Sequence, residues 1–300
     1  MRALSFGELL WDIIDGREYI GGAPFNLAAH LARMGAESYL VSAVGEDELG
    51  SRALEKMREI GVSREFINIQ RDYPTGVVSV ELDEGGTPVY HIKEQSAWDH
   101  ISLNPEQLSR ISDTSWDVLS FGSLAQREAN NRRLLPQVVE AAAAKEVFFD
   151  VNLRLNYYSK GLLKELLGYT DILKLNDEEL APVSRLFFGA EIEAQDFASE
   201  LFRREKTHTL ILTRGRLGSS VYTRTQKIHI PVVDVRVKDT VGAGDSYSAA
   251  FLFAYHHGGD VEKAANLAAL VSSYVAGSPG AVPVYDEAVR KAVYRVANPE

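Results

Sequence analysis

The sequence predicts an α/β protein whose central, mostly parallel β-sheet is covered by helices on both faces. Short apolar runs alternate with longer amphipathic stretches along most of the chain. A strand followed by a helix, repeated in this way, builds a parallel sheet that is buried on both faces. The predicted strands are ESYLVSAVG, WDVLSFG, VFFDVN, DILKLN and HTLILTRG, and the helical patterns lie near residues 24–34, 46–60, 127–145, 177–187 and 194–205. In such sheets ligands bind beyond the carboxyl ends of the strands.

One segment departs from this alternation. Residues 75–99, TGVVSVELDEGGTPVYHIKEQSAWD, have strand-like composition and a DEGG turn but no helical period. They predict a β-hairpin beside the α/β body. Val78, Val80 and Leu82 alternate along it, and this apolar face would cover a substrate or the same element of a second subunit. A hairpin packed only on its own domain explains the pattern equally well.

Composition excludes several classes of function. The 300 residues, 45% of them hydrophobic, can bury a large core. The 42 acidic and 32 basic residues give a net charge of -10, which repels nucleic acid and anionic membranes, so we expect neither as a partner. The absence of cysteine excludes disulfides, thiolate metal sites and cysteine nucleophiles. Glu8 and Asp12 interrupt the segment where a secretory signal would be uncharged, so we expect a cytoplasmic protein.

The stretch DTVGAGDS, residues 239–246, precedes the helix-forming run YSAAFLFAYHH. Glycines before a helix let backbone N–H groups converge, and the helix N-terminus adds about half a positive charge, so the segment predicts an anion site. Asp245 at its rim suggests a proton acceptor beside a phosphate, and a helix cap is the alternative. Because the helix dipole favours the ionised carboxylate, we expect the pKa of Asp245 not to be raised toward neutrality.

Weaker motifs allow both a functional and a structural interpretation. In GGAPFN, Gly22 would let a ligand approach the backbone and Asn26 would bind a hydroxylated ligand, but a tight turn with a polar cap also fits. In LKLNDEE, Asn176 and Glu179 form the pattern of a capping box, or hold a hydrated magnesium ion near a polyphosphate. Arg154 in DVNLR would clamp a phosphate or sugar hydroxyl, or pair with a neighbouring carboxylate.

The segment LILTRGRLGSSVY places Gly215 and Gly218 after an apolar strand and before an extended run. A nucleotide-binding loop would use these glycines to bring the main chain close to the phosphates of an adenosine nucleotide. A plain hairpin turn would use the same residues.

Taken in order, these motifs resemble the ribokinase-like (PfkB) carbohydrate kinases over essentially the whole chain. The resemblance is carried by Gly7, Glu8 and Asp12, by GGAPFNLA at 21–28, DVNLR at 150–154, NDEE at 176–179, TRGRLG at 213–218 and DTVGAGDS at 239–246. GGAP followed by Asn26, and AWD at 97–99, look most like bacterial fructokinases. The resemblance implies one ribokinase-like domain over residues 1–300, with a mostly parallel sheet flanked by helices and a small β-sheet lid near residues 11–21 and 75–99.

The resemblance also implies an activity and a role for each matching residue. The expected activity is ATP-dependent phosphorylation of the 6-hydroxyl of fructose; the alternatives are a 2-keto-3-deoxygluconate or nucleoside kinase, or a non-catalytic sugar-binding homologue. Magnesium, and in many members a monovalent cation such as K⁺, would assist, and the lid would also form a homodimer contact. The implied site consists of an anion hole at Gly242, Ala243 and Gly244; a general base at Asp245; sugar contacts at Asp12, Gly22, Asn26 and Arg154; and nucleotide contacts at Asn176, Thr213, Gly215, Gly218 and, more weakly, Asn266. The implied metal residues are Glu179 for magnesium and Asp239, with backbone near Gly280, for the monovalent cation.

Two departures from the family pattern stand out. Val241 occupies a position where many members have threonine. Phe25 replaces a smaller residue of many fructokinases, and we expect it to reshape the sugar pocket. The chain also has no GxxxxGK[ST] motif, so backbone groups and the helix dipole would have to hold the phosphates without a P-loop lysine.

Overall fold

The alternating strands and helices of the sequence build a central sheet with helices on both faces, together with a second, smaller sheet. The computed structural model describes residues 1–14, 16–82 and 88–298, without the side chains of residues 14, 80–82 and 88–90. The predicted DEGG turn at 83–86 and the side chains of Val80 and Leu82 therefore lie outside the described part of the chain.

Within the described residues, ten strands form the central sheet. Its order is β14-β13-β12-β11-β10-β9-β1-β4-β5, with β6 also paired to β4. The strands from β12 to β5 run parallel, and β13 and β14 close one edge antiparallel. The strands are β1 Arg2–Phe6, β4 Glu37–Gly45, β5 Val62–Ser63, β6 Ile67–Gln70, β9 Val118–Gly122, β10 Glu146–Asp150, β11 Ile172–Asn176, β12 Thr209–Thr213, β13 Ser219–Thr223 and β14 Lys227–Ile230.

The five predicted helical patterns and the helix expected after DTVGAGDS all form helices, and the described residues contain four further helices that the sequence analysis did not predict. They are α1 Ala23–Arg33, α2 Glu48–Ile60, α3 Pro105–Ser112, α4 Ala129–Ala142, α5 Lys160–Leu167, α6 Asp177–Phe188, α7 Ala194–Arg204, α8 Ala243–Gly258, α9 Val261–Ala276 and α10 Glu287–Ala297. Short 3-10 helices cover Ala97–His100, Leu124–Arg127 and Gly215–Leu217. No helix in the described ranges is long and apolar enough to cross a membrane.

Successive residues of each central strand bury opposite faces, as the period of two requires. In β10, Phe148 packs with α8 and α9, whereas Phe149 packs with the helices of the other face. The first face is covered by α1, α8, α9 and α10, and the second by α3 to α7. Because both faces are sealed, polar groups reach a ligand only at the ends of the strands.

The second sheet has four strands in the described residues, ordered β3-β2-β7-β8. They are β2 Leu10–Ile14, β3 Arg17–Gly21, β7 Gly76–Leu82 and β8 Pro88–Ile92. The β7–β8 pair is antiparallel, as predicted for the hairpin, but β2 and β7 are parallel. The sheet therefore joins two segments that are far apart in the sequence.

Gly76 fixes where the small sheet meets the main body. A Cβ at this position would collide with the indole of Trp98, which is fully buried.

We expect Gly76→Ala to lower the free energy of unfolding by about 1–3 kcal/mol, as overpacking of a core does. The matched variant is Gly161→Ala in α5, where the nearest atom to an added Cβ outside the local backbone is Ser159 Oγ at 3.9 Å, and it should stabilise by about 0.5–1 kcal/mol. Denaturant unfolding of both variants measures this, and equal effects would contradict the tight contact.

Candidate active site

The polar site lies at the carboxyl ends of the central strands, near the point where the strand order reverses. Strand β1 lies between β4, which follows it in the chain on one side, and β9, which comes later on the other side. Open α/β sheets bind ligands at such a point of reversal. Glu8 follows β1, Asp150 ends β10 and Asn176 ends β11. The N-terminus of α8 supplies the other side of this site.

The start of α8 has the geometry of an anion site. Gly242 is its N-cap residue with a left-handed backbone, φ 76°. A Cβ there would lie 2.7 Å from Cα of Ala281, so both its conformation and its close packing require glycine. The capping residue has no side chain to occupy the N–H of Gly244, and the N–H of Ala243 donates to the backbone oxygen of Thr240 at 3.2 Å. The N–H of Gly244 therefore remains available to an anionic ligand.

Asp245 lies in the first turn of α8 and does not cap the helix. Its Oδ2 accepts a hydrogen bond of 2.8 Å from Nδ2 of Asn26, which α1 carries. Two residues separated by 219 positions in the sequence thus meet at one point. The structure brings the predicted base and one predicted sugar contact together.

The expectation about the pKa of Asp245 was wrong. Part of the residue is exposed to the cleft, but protein atoms surround its carboxyl group. This desolvation and the charge of Asp150 raise its pKa to about 6, although Asn26 and Lys174 oppose the shift. The helix dipole does not offset the burial of several carboxyl groups in one place.

A buried ion pair that the sequence motifs did not single out lies beneath this site. Nζ of Lys174 is 2.7 Å from Oδ2 of Asp150, and both side chains are at most one-tenth exposed. A Cβ on Gly244 would lie 3.5 Å from Nζ of Lys174, so the ammonium group is next to the start of α8. The signal in the sequence was a lysine inside the apolar strand ILKLN, because buried lysines are rare.

Glu8 and Asp12 contribute two more carboxyl groups. Burial raises the pKa of Glu8 to about 7 and that of Asp12 to about 6, and the charge of Asp245 adds to both shifts. Glu8 is 2% exposed, and its Oε2 has no protein hydrogen-bond partner. The predicted contact Gly22 has φ 106°, and a Cβ there would collide with the backbone oxygen of Glu8. Glu8 is therefore a candidate site residue to which the sequence analysis assigned no role.

Arg154 is exposed on the loop after β10. Its positive charge lowers the pKa values of Glu8, Asp12 and Asp245, which places it within electrostatic range of all three. Two residues of the same loop have positive φ without being glycine, Asn152 at 43° and Leu155 at 49°. The loop thus has an unusual backbone conformation beside the acidic cluster.

A cavity of about 310 Å³ runs from the β12–β13 turn to the start of α8. Thr213, Gly215 and Gly218 line one part of it, and Ala243 and Gly244 line another. Between them lie mostly apolar residues: Pro231, Val232, Val235, Val237, Ala269 and Ala276. The predicted nucleotide loop and two of the three residues of the predicted anion hole therefore line one cavity.

Asn176 and Glu179 form the capping box of α6. Asn176 Oδ1 accepts from the N–H of Glu179 at 2.9 Å, and Glu179 Oε2 accepts from the N–H of Asn176 at 2.9 Å. The other oxygen of Glu179 accepts from the N–H of Leu153. Asp239 Oδ1 accepts from the N–H of Val241. In the described ranges no group of three or more His, Cys, Asp or Glu is arranged to hold a metal ion.

Asn266 and Phe25 lie away from the places that the sequence analysis predicted for them. Asn266 does not line the cavity; it is exposed, and its Nδ2 donates to the backbone oxygen of Glu262 one turn earlier in α9. The face of α9 that lines the cavity begins at Ala269, three residues later, because Asn266 points to solvent. Phe25 is fully buried in a core with Leu9, Met57 and other apolar residues, so it packs α1 instead of lining the small pocket at Asp245.

Comparisons with known proteins identify the family. Residues 3–288 match the sequence profile of the pfkB family of carbohydrate kinases. A nucleoside kinase of Methanocaldococcus jannaschii is 29% identical over 292 residues, 93% of this chain and 87% of the relative. A fructokinase of Klebsiella pneumoniae is 28% identical over 239 residues, 77% of this chain and 75% of the relative. The structure of a Pyrococcus horikoshii sugar kinase in complex with ATP matches with a TM-score of 0.82 and 26% identity, covering 98% of this chain and 99% of that chain.

Kinases of sugars and of nucleosides match at nearly the same identity, so the similarity establishes the family and leaves the acceptor open. The predicted fold and the predicted family are both confirmed. This chain belongs to the pfkB family of carbohydrate kinases and has the ribokinase-like α/β fold.

Proposed function

We propose that this chain is an ATP-dependent sugar kinase that phosphorylates the 6-hydroxyl of fructose. One observation carries the proposal: a cavity leads from the predicted nucleotide loop to Ala243 and Gly244 at the start of α8, and Asp245, the next residue of that helix, lines a second, small pocket. Phosphoryl transfer requires little covalent chemistry from the protein, so this placement of donors and base supplies what the reaction needs.

ATP would lie in the cavity with its adenosine on the apolar walls and its phosphates toward α8. The related Pyrococcus horikoshii kinase with bound ATP supports this choice of nucleotide. The N–H of Gly244 would hold the transferring phosphoryl group, together with that of Ala243 once it exchanges its bond to Thr240 for one to phosphate. The nearby ammonium of Lys174 would stabilise the charge of the phosphoryl group. Thr213, Gly215 and Gly218 would contact the rest of the nucleotide.

The acceptor would lie on the other side of Asp245, among polar groups that suit a polyhydroxylated molecule. Asp12, Asn26, Arg154 and the backbone at Gly22 would bind its hydroxyl groups. Asn26 occupies Oδ2 of Asp245, which leaves Oδ1 to accept the proton of the attacking hydroxyl. The hydroxyl oxygen bonds to the γ-phosphorus as its bond to the β–γ bridging oxygen breaks, and ADP leaves.

Magnesium would enter with the nucleotide and neutralise phosphate charge. Both oxygens of Glu179 already accept backbone hydrogen bonds, so Asn176 and Glu179 fit the ion through its water ligands better than by direct contact. We extend the proposal to a monovalent cation at Asp239 and the backbone near Gly280.

The small sheet would act as a lid. Asp12 lies on β2, so the sheet itself carries one of the acceptor contacts. A cover over the acceptor keeps water from competing for the phosphoryl group. Its use as a homodimer contact stays a prediction.

A nucleoside kinase is the second candidate, because the Methanocaldococcus jannaschii relative matches 93% of the chain. The catalytic half would be the same in both enzymes, and only the groups facing the acceptor would differ.

An acceptor panel tests the proposal. The protein is incubated with ATP, magnesium and either fructose, 2-keto-3-deoxygluconate, ribose or a nucleoside, and ADP release is measured. We expect fructose to give the highest kcat/KM, with phosphate on its 6-hydroxyl by NMR. A preference for a nucleoside would identify the nucleoside, and not fructose, as the acceptor. No stimulation by any acceptor above background ATP hydrolysis would support a binding protein without kinase activity.

The base is tested by Asp245→Asn, which keeps an acceptor for the Asn26 hydrogen bond. We expect kcat to fall about 10²–10⁴-fold while ATP still binds, because the general base is lost. The control is Asp260→Ala at the opposite end of α8, where Asp260 caps α9 through the N–H groups of Glu262 and Lys263. It should cost about 1 kcal/mol of stability and leave kcat intact. An active but destabilised Asp245→Asn protein would contradict the catalytic assignment.

A further inference from the structure

Arg127, the last residue of the 3-10 helix after β9, is buried among four partners. Its side chain is 4% exposed. Nε and Nη2 donate to the two carboxylate oxygens of Asp99, each at 2.7 Å, and Nη2 also donates to the backbone oxygen of Lys93 at 2.7 Å. The guanidinium carbon lies 4.2 Å from the ring centre of Trp98 and 4.9 Å from that of Tyr157.

These partners belong to two segments that flank the proposed acceptor site. Lys93, Trp98 and Asp99 lie on the chain that returns from β8 of the small sheet. Tyr157 lies on the loop after β10 that carries Arg154, and its N–H donates to the backbone oxygen of Arg154 at 3.1 Å. The hydroxyl of Tyr157 donates to Oε1 of Glu94 at 2.8 Å, which joins the two segments directly.

Only a guanidinium makes this set of contacts. Its planar fork matches both oxygens of one carboxylate, and its flat faces stack on aromatic rings. A lysine would keep the charge but lose the fork and the stacking. The burial of Arg127 also requires the pairing with Asp99, since an unpaired buried charge is strongly destabilising.

We propose that Arg127 is a positioning residue for the acceptor: it holds the Arg154 loop, through Tyr157, against the base of the small sheet. This inference rests on the proposed function only in taking Arg154 as an acceptor contact. Holding the loop places the Arg154 guanidinium near Asp12 and Asp245 before the acceptor arrives. The nucleotide cavity is lined by other elements, so ATP binding does not depend on the contact.

The test removes the link without disturbing the buried ion pair. Tyr157→Leu loses the ring under Arg127, and Tyr157→Phe keeps it. The control is Arg204→Gln on α7, which removes a half-exposed guanidinium that lies over Phe188 at 5.2 Å and pairs with Glu200. Acceptor KM, ATP KM and hydrogen exchange of the amides at 152–158 are measured for each protein, and exchange is read without any substrate.

We expect Tyr157→Leu to raise acceptor KM about tenfold and to speed exchange in the loop, with ATP KM unchanged. Tyr157→Phe and Arg204→Gln should stay within about twofold of the unmodified protein. Adding Tyr157→Leu to Arg154→Ala should raise acceptor KM no further, because both act through one group. Unchanged exchange in Tyr157→Leu, or equal damage in Tyr157→Phe, would overturn the inference. Faster exchange with unchanged acceptor KM would instead show that Arg154 does not contact the acceptor.

Discussion

A polyphosphate and a carboxylate base repel each other, and the proposed site must hold both at one end of a helix. The backbone N–H groups at the start of α8 are donors whose partial charge does not depend on pH. The ammonium of Lys174 adds a full positive charge beside Gly244, held in place by Asp150. Asp245 is thereby brought next to the anion hole at the cost of a raised pKa. Every other element of the site is arranged around this balance of charge.

The fold holds the start of α8 from several directions. Asn26 of α1 fixes Asp245, and His30, one turn later on the same helix, fixes the backbone segment that packs against Gly242. Nε2 of His30 lies 2.9 Å from the backbone oxygen of Ala281, which can only accept, so Nε2 carries the proton. Nδ1 then accepts from the hydroxyl of Tyr285 at 2.6 Å. Burial lowers the pKa of His30 to about 4, so this arrangement persists at neutral pH.

Local patterns in the sequence were sufficient for five of the central strands, six of the helices and the glycine-rich start of α8, but not for β1, α3, α5, α9 or α10. Period-two and helical periodicities are set by burial, and Gly242 is required by a local backbone conformation. The parallel pairing of β2 with β7 was not predictable, because it joins distant segments and follows from packing against the main body. The pKa of Asp245 was predicted wrongly for a similar reason: its helix is a local feature, but the carboxyl groups that interact with it come from the loop after β1, from β2 and from β10. Lys174 was visible as a charge in an apolar strand, yet its partner was not.

The central claim is that Asp245, a carboxyl group with a raised pKa, takes the proton from the attacking hydroxyl of the sugar. The pH dependence of kcat/KM for the sugar tests this claim most directly. Asp245 has a pKa of about 6 and works only when ionised, so kcat/KM should fall as the pH drops through about 6. Asp12, with a pKa of about 6, and Glu8, with a pKa of about 7, titrate near the same range, and Asp12→Asn and Glu8→Gln variants should each retain the acid limb if Asp245 is responsible. A rate that stays constant down to about pH 4.5, as an ordinary carboxyl group would allow, would contradict the account.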